Sequence, residues 1–276
     1  VALIRAICNQ KSKNIMSDRV KGKVIIVTGA AQGIGFGIAE MCAKEGATVI
    51  IGDINEGKGS AAAQRLNDAG HSAFFQPCDV ESEEQCKALV DAAVQRFGRL
   101  DGLVNNAGWY PRATLEETTT ELWEKIMRIN ARGPLLCCKY AVPAMRNAGG
   151  GSIVNIGSGN GIQANENLVA YGAAKGALLT MTRTLAAPLA RDRIRVNYLI
   201  PGWVLSEGEI ALHASMGTSE EELREHGRHS PLGRLQTPQD TAYGALYLLS
   251  DESSQMTGTV FQIDAGWSSL HFPRGI

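Results

Sequence analysis

The sequence predicts a doubly wound α/β fold, one parallel sheet with helices on both faces. Three observations carry the prediction. From Lys21 onward, short β-branched runs alternate with longer stretches of helical periodicity. The first of them, at 23–27, is of the kind buried in a parallel sheet. Glycines stand where strands turn into helices and where helices stop, and the 31 glycines of the chain exceed the globular share of about 7%.

Residues 23–27 form the first expected strand. Helical periodicity follows over 33–45, with Ile34, Ile38, Met41 and Cys42 on one face and Gly46 ending it. A second strand at 48–51, a helix at 56–69 stopped by Gly70 and a third strand at 72–76 come next. A helix at 83–97 stopped by Gly98 then leads to a fourth strand at 102–105. Thr118-x-x-Glu121 reads as a capping box opening a long helix towards Ala148, and Gly149 to Gly151 release the chain into a central strand at 152–156. The helix at 168–190 carries Pro188 near its end, where bending or termination is expected. A sixth strand at 195–199, a helix at 241–249 and a last strand at 259–263 follow.

No internal repeat, low-complexity tract or Pro/Ser-rich linker divides this pattern, so one domain is expected over 17–270. Within it, 206–231 is too long for a plain turn, contains a helical piece near 219–226, and reads as a substrate loop. Residues 1–16 read as an extension that is non-native or disordered, with Met16 as the expected start, and 271–276 as a tail.

At a net charge of −1 the chain lacks the basic balance that nucleic acid or an anionic membrane would demand, and neither is expected as a partner. Residues 1–7 are apolar but too few to span a bilayer and lead into no export signal, so a cytoplasmic location is expected. Cys8, Cys42, Cys78, Cys86, Cys137 and Cys138 contain no Cys-x-x-Cys pair and read as buried thiols. His226 and His229 lack partners to complete a ligand set, so no metal is expected.

The stretch 28–35, Thr-Gly-Ala-Ala-Gln-Gly-Ile-Gly, sits between the first strand and the first helix. Glycines there let a backbone approach a pyrophosphate, and the helix N-terminus offers free N–H groups at its positive end. The cofactor-binding candidates it supplies are Gly29, Gln32, Gly33, Ile34 and Gly35. Asp53 ends the second strand, followed by Ile54; its carboxylate can accept from an adenosine ribose and repels a 2′-phosphate. No Arg or Lys directly follows it, so NAD is expected rather than NADP. Asp79 and Val80 follow the third strand where an adenine would lie, and Asn106, Ala107 and Gly108 close the fourth. In the centre, Tyr171 and Lys175 stand four residues apart on one helical face. An ammonium beside a phenol is expected to draw the tyrosine pKa down from about 10 towards neutrality. Ser158, in the turn before this helix, can hydrogen-bond a substrate oxygen.

In order, these features resemble the short-chain dehydrogenase/reductase family over about residues 21–267. The resemblance implies a Rossmann fold, a nicotinamide dinucleotide cofactor, and hydride transfer between it and a carbinol or carbonyl carbon. It places the catalytic group on Asn130, Ser158, Tyr171 and Lys175, with Tyr171 as general acid/base. Lys175 would lower the phenol pKa and hold the nicotinamide ribose, and Asn130 would hold the main chain or a water. Further cofactor contacts fall on Pro201, Gly202, Val204 and Ser206, the serine standing where threonine is commoner. Gly157 stands where a second serine is frequent, and Asp264-Ala265-Gly266 where Asp-Gly-Gly is usual.

Substrate identity is less legible. Trp109, Trp203 and Asn165 are candidates beside Ser158, with Tyr110 and His213 on position alone. The aromatic residues fit a ring and the Asn165-Glu166-Asn167 stretch fits hydroxyls, so cyclic alcohols and polyols stand equal. Two other readings stay open: a reductase of 3-oxoacyl groups on a carrier protein, and a non-catalytic dinucleotide-binding protein. The resemblance also implies a homotetramer or homodimer built on the long helices.

Overall fold

Seven parallel strands form a single sheet in the order β3-β2-β1-β4-β5-β6-β7. They are β1 (Val24–Thr28), β2 (Thr48–Asp53), β3 (Ser72–Pro77), β4 (Gly102–Asn105), β5 (Gly151–Ile156), β6 (Ile194–Pro201) and β7 (Val260–Ile263). This computed structural model describes residues 18–163 and 165–269; the expectations for residues 1–16 and 271–276 lie outside them. The fold is the doubly wound sheet the sequence predicts, with strand edges shifted by a residue or two.

Alternate residues of each strand serve opposite faces. Ile25 and Val27 of β1 join Val49 and Ile51 of β2 in one fully buried cluster, covered by α1 (Gly33–Lys44), α2 (Glu56–Asp68) and α9 (Pro238–Leu249). Val24 and Ile26, with Ile50, Leu103 and Ile153, face the other way. There they meet α3 (Glu83–Phe97), α5 (Gly133–Ala148) and α6 (Val169–Leu189). Both faces are covered, which is why β1 reads as an almost unbroken apolar run. The five described cysteines are buried in the same clusters with no disulfide between them.

The chain crosses from one half of the sheet to the other between β1 and β4, and a crevice opens there at the strands' carboxyl ends. Two side chains close the strand ends against each other. The Thr28 hydroxyl accepts from the backbone N–H groups of Asn106 (3.0 Å) and Ala107 (3.1 Å), and Asn106 Nδ2 donates to the carbonyls of Thr28 (2.9 Å) and Gly29 (3.0 Å).

The expected long helix to Ala148 is three pieces: α4 (Thr120–Met127), a π-helical turn (Arg128–Arg132) and α5. Its cap is Thr119, whose side chain accepts from Leu122 N–H, and not Thr118, whose hydroxyl donates to the Thr114 carbonyl. Pro134 explains the break, because its ring would collide with the carbonyl four residues back, that of Asn130, in a continuous α-helix. Pro188 lies one residue inside the end of α6, as termination there requires.

The segment 206–231 holds two helices, α7 (Glu207–Ser215) and α8 (Glu220–Gly227), where the sequence reading expected only the second. Ser206-x-x-Glu209 was the missed start signal: Ser206 caps α7 by accepting from Glu209 N–H. Likewise α9 begins at Pro238, three residues before the expected start, behind the Thr237–Asp240 capping box. Ala265 has φ +57°, a left-handed conformation that accounts for the glycine usual at that place. Among the described residues no helix is long and apolar enough to cross a membrane.

Candidate active site

The crevice at the β1/β4 crossover encloses about 550 Å³ and runs from Asp53 to Lys175. Its floor is the glycine loop, and the fit to a dinucleotide is steric. A Cβ on Gly29 would lie 2.8 Å from the Ala107 Cα, and one on Gly35 would lie 2.2 Å from the Gly29 carbonyl oxygen. Only glycine fits at these two positions, which lets a pyrophosphate approach the first turn of α1, where Glu207 Oε2 accepts the Gly33 N–H at 3.0 Å.

Most of the cofactor candidates line this crevice: Gly29, Gln32, Gly33, Ile34, Gly35, Asp53, Ile54, Asp79, Val80, Asn106, Ala107, Gly108, Pro201 and Ser206, with Tyr171 and Lys175. Gly202 and Val204 do not. They line the adjoining cavity, because the Gly202 N–H is held by Gln236 Oε1 (2.6 Å) and the Ile263 carbonyl (2.9 Å). At the adenosine end, Asp53 accepts from the N–H groups of Ala31 and Asn55, each at 2.9 Å. Lys58 also reaches this end, its ammonium donating to Gln32 Oε1 at 2.7 Å. The sequence reading missed it by looking only directly after Asp53. Lys58 lies in the first turn of α2, and first turns in this fold point back at the strand ends.

At the other end, Ser158, Tyr171 and Lys175 come together where the crevice meets a second cavity of about 490 Å³. The Lys175 side chain is buried and its ammonium donates to the Ile156 carbonyl at 2.8 Å. Burial lowers its pKa to about 8. The Tyr171 phenol departs from expectation. Burial pushes it above its ordinary range, opposed by the Ser158 hydroxyl, with Tyr198, Tyr110 and Glu209 raising it further. The expected fall is absent because Lys175 Nζ is turned to the main chain of β5, 5.5 Å from the Tyr171 ring centre.

Asn130 is fully buried in the π-helical turn. Its Nδ2 donates to the carbonyls of Trp109 (2.7 Å) and Ile126 (3.0 Å), and its Oδ1 accepts from Trp109 N–H (3.3 Å). It therefore holds main chain, tying the loop after β4 to the broken helix.

Tyr198 was not singled out from the sequence. It is fully buried on β6; its hydroxyl accepts from Ser158 N–H and donates to the Lys175 carbonyl, both at 3.1 Å. One phenol thus fixes the turn carrying Ser158 to the helix carrying Lys175. A Cβ at Gly157 would lie 2.1 Å from its ring, which is why glycine stands there. Tyr198→Phe leaves a buried N–H and a buried carbonyl without this partner, at an expected cost of about 1–3 kcal/mol in stability. Denaturant titration checks this; unchanged stability would mean that the turn does not depend on this hydroxyl.

The second cavity is lined by Tyr110, Ser158, Asn165, Tyr171 and Trp203 among others. Trp109 instead lines the cofactor crevice, under the Lys125 ammonium at 4.7 Å from its ring centre. His213 sits behind Trp203, ring centres 5.7 Å apart. Asn165 is the only one of Asn165, Glu166 and Asn167 on the cavity wall.

A family model described as enoyl-(acyl carrier protein) reductase matches residues 29–268. The chain belongs to the short-chain dehydrogenase/reductase family. Its members are oxidoreductases that use a nicotinamide dinucleotide, in keeping with the shape of the crevice. Among short-chain dehydrogenases, it is 40% identical over 250 residues to an uncharacterized oxidoreductase of Thermotoga maritima, covering 91% of this chain and 99% of that protein. A trans-4-hydroxycyclohexanecarboxylate dehydrogenase of Sinomonas cyclohexanicum is 40% identical over 91% of this chain and 95% of its own length. The 2-(S)-hydroxypropyl-CoM dehydrogenase 3 of Xanthobacter autotrophicus is 36% identical over 92% of this chain and all of its own.

Proposed function

We propose that the protein is an NAD(H)-dependent dehydrogenase interconverting a secondary alcohol and a ketone, with Tyr171 as general acid/base. The observation that carries this reading is the meeting of Ser158, Tyr171 and Lys175 at the junction of crevice and cavity. The relatives that act on hydroxycyclohexanecarboxylates and the aromatic wall of Tyr110 and Trp203 favour a cyclic alcohol over a polyol.

The bound nicotinamide would supply the hydride acceptor or donor. Tyr171 takes the proton from the carbinol oxygen during oxidation and returns it to the carbonyl oxygen during reduction. Ser158 Oγ accepts from Asn160 N–H (3.1 Å) and Nδ2 (3.3 Å), so its own proton remains to steady the reacting oxygen. The Lys175 ammonium has three protons and spends one on Ile156, which leaves two for the nicotinamide ribose. Asp53 selects NAD(H) by charge. The proposed setting is cytoplasmic, in a homotetramer or homodimer. Half-exposed Trp123 and Leu135, beside a hollow lined by Met127, Leu178 and Met181, support association through α4, α5 and α6. Light scattering measures that state directly.

Initial rates of nicotinamide reduction test the main reading, with NAD⁺ and NADP⁺ in parallel against cyclic alcohols, polyols and 3-hydroxyacyl thioesters. Oxidation of a cyclic secondary alcohol with NAD⁺ in clear excess over NADP⁺ is the expected outcome. Activity confined to thioesters with NADP⁺ would replace it by the acyl-reductase reading. NADH binding without turnover on any alcohol would replace it by a binding protein.

A further inference from the structure

The cavity beside Tyr171 carries three charged side chains, Arg112, Glu209 and Asp264. Two are engaged by the protein itself. Glu209, buried, accepts from Trp203 Nε1 at 2.7 Å, with the Tyr110 hydroxyl at 3.4 Å and His213 Nε2 at 3.2 Å. Asp264, also buried, accepts from the N–H groups of Gly266 and Ser268, each at 2.9 Å, and from the Ser268 hydroxyl. Arg112 makes no ion pair and no hydrogen bond among the described residues. Arg112 is therefore the one charged side chain of the cavity wall left without a partner among the described residues.

The backbone that carries Arg112 is fixed. Pro111 precedes it, and buried Ala113 follows, donating its N–H to the Asn167 carbonyl at 2.8 Å and pairing with Leu168 as a parallel bridge. Tyr110, two residues before, packs its ring 5.7 Å from that of Tyr171. The Arg112 charge is also felt at the Tyr110 phenol, where it opposes the upward push of burial and Glu209. A continuous wall thus runs from the proton-transfer group to the guanidinium at the exposed rim. Two neutral donors on the same wall are already engaged: Asn160 Nδ2 on Ser158 (3.3 Å) and Gln163 Nε2 on the Trp267 carbonyl (3.3 Å). Beyond the Asn165 amide and the Ser158 hydroxyl, the wall offers a ligand a planar, forked cation, and the group that matches it two-for-two is a carboxylate.

We propose that Arg112 binds a carboxylate at the end of the substrate remote from its carbinol carbon, so that the substrate is a hydroxy acid. This deepens the dehydrogenase reading and rests on it only for the carbinol. Binding separates the two. Cyclohexanecarboxylate and its amide, which cannot react, are titrated calorimetrically against the whole protein with and without NADH. The carboxylate should bind about 10- to 100-fold more tightly than the amide in the native protein, the advantage of a charge-assisted pair. Arg112→Gln should erase that difference and Arg112→Lys should restore part of it. In turnover, the preference for a hydroxycyclohexane acid over its methyl ester should vanish in Arg112→Gln. Equal binding of carboxylate and amide by the native protein, or a difference that survives Arg112→Gln, overturns the proposal. Arg112-dependent carboxylate binding without oxidation of any secondary alcohol upholds it, and the dehydrogenase reading falls instead.

Discussion

Tyr171→Phe is expected to lower kcat/KM for alcohol oxidation by about a thousandfold, within the range of general acid–base contributions. NADH should bind as before, because the ring on the crevice wall is kept and no hydrogen bond of the fold among the described residues uses the lost hydroxyl. The pH profile gives the second half of the test. Burial holds the phenol above its ordinary range, so through neutral pH the basic form is a minor fraction that rises tenfold with each unit. Log kcat/KM for oxidation should therefore climb with a slope of about one below pH 8. Lys175 loses its proton around its own value of about 8, and with it one of the donors proposed for the nicotinamide ribose. The climb should flatten there. Ketone reduction draws on the protonated phenol, which persists across this range, and should show no such limb. A variant that keeps more than a few per cent of kcat/KM, or an oxidation rate indifferent to pH between about 6 and 8, removes Tyr171 from the chemistry.

The sheet was legible because β1, β2 and β4 bury apolar residues on both faces, and the glycine loop because its residues leave no room for a Cβ. Ser158, Tyr171 and Lys175 were legible from their spacing. What the spacing could not convey was direction. Lys175 lies one turn from Tyr171, yet its ammonium points to the Ile156 carbonyl, so the phenol is raised and not lowered. Asn130 was placed by resemblance, while the break in the helix that presents it follows from Pro134 four residues on. Tyr198 was invisible for another reason. On a strand it is one more large residue in an apolar run, and only the contact across to Gly157 shows what its hydroxyl holds. The substrate wall was hardest, because it is assembled from separate stretches around residues 110, 160, 205 and 265. No local pattern registers a cavity whose sides are that far apart in sequence.

Asp53→Asn is expected to shift the ratio of kcat/KM for NADP⁺ to that for NAD⁺ upward by about 100-fold, since a like charge set against a phosphate costs several kcal/mol. Both carboxylate oxygens accept backbone N–H groups, from Ala31 and Asn55. An isosteric amide keeps one of these bonds while losing the charge, so the loop should hold. Lys58 makes the shift larger than simple loss of repulsion. Its ammonium already stands at the adenosine end of the crevice, held by Gln32, where a 2′-phosphate could take it as a partner. The double variant Asp53→Asn/Lys58→Gln should therefore gain less NADP⁺ activity than Asp53→Asn alone. Steady-state rates with both cofactors across the four proteins isolate the two charges. A native protein that prefers NADP⁺ would mean that Lys58 outweighs Asp53 already, and the preference should then collapse in Lys58→Gln. An unchanged ratio in Asp53→Asn would mean that this carboxylate serves the loop alone and that the choice of cofactor is made elsewhere.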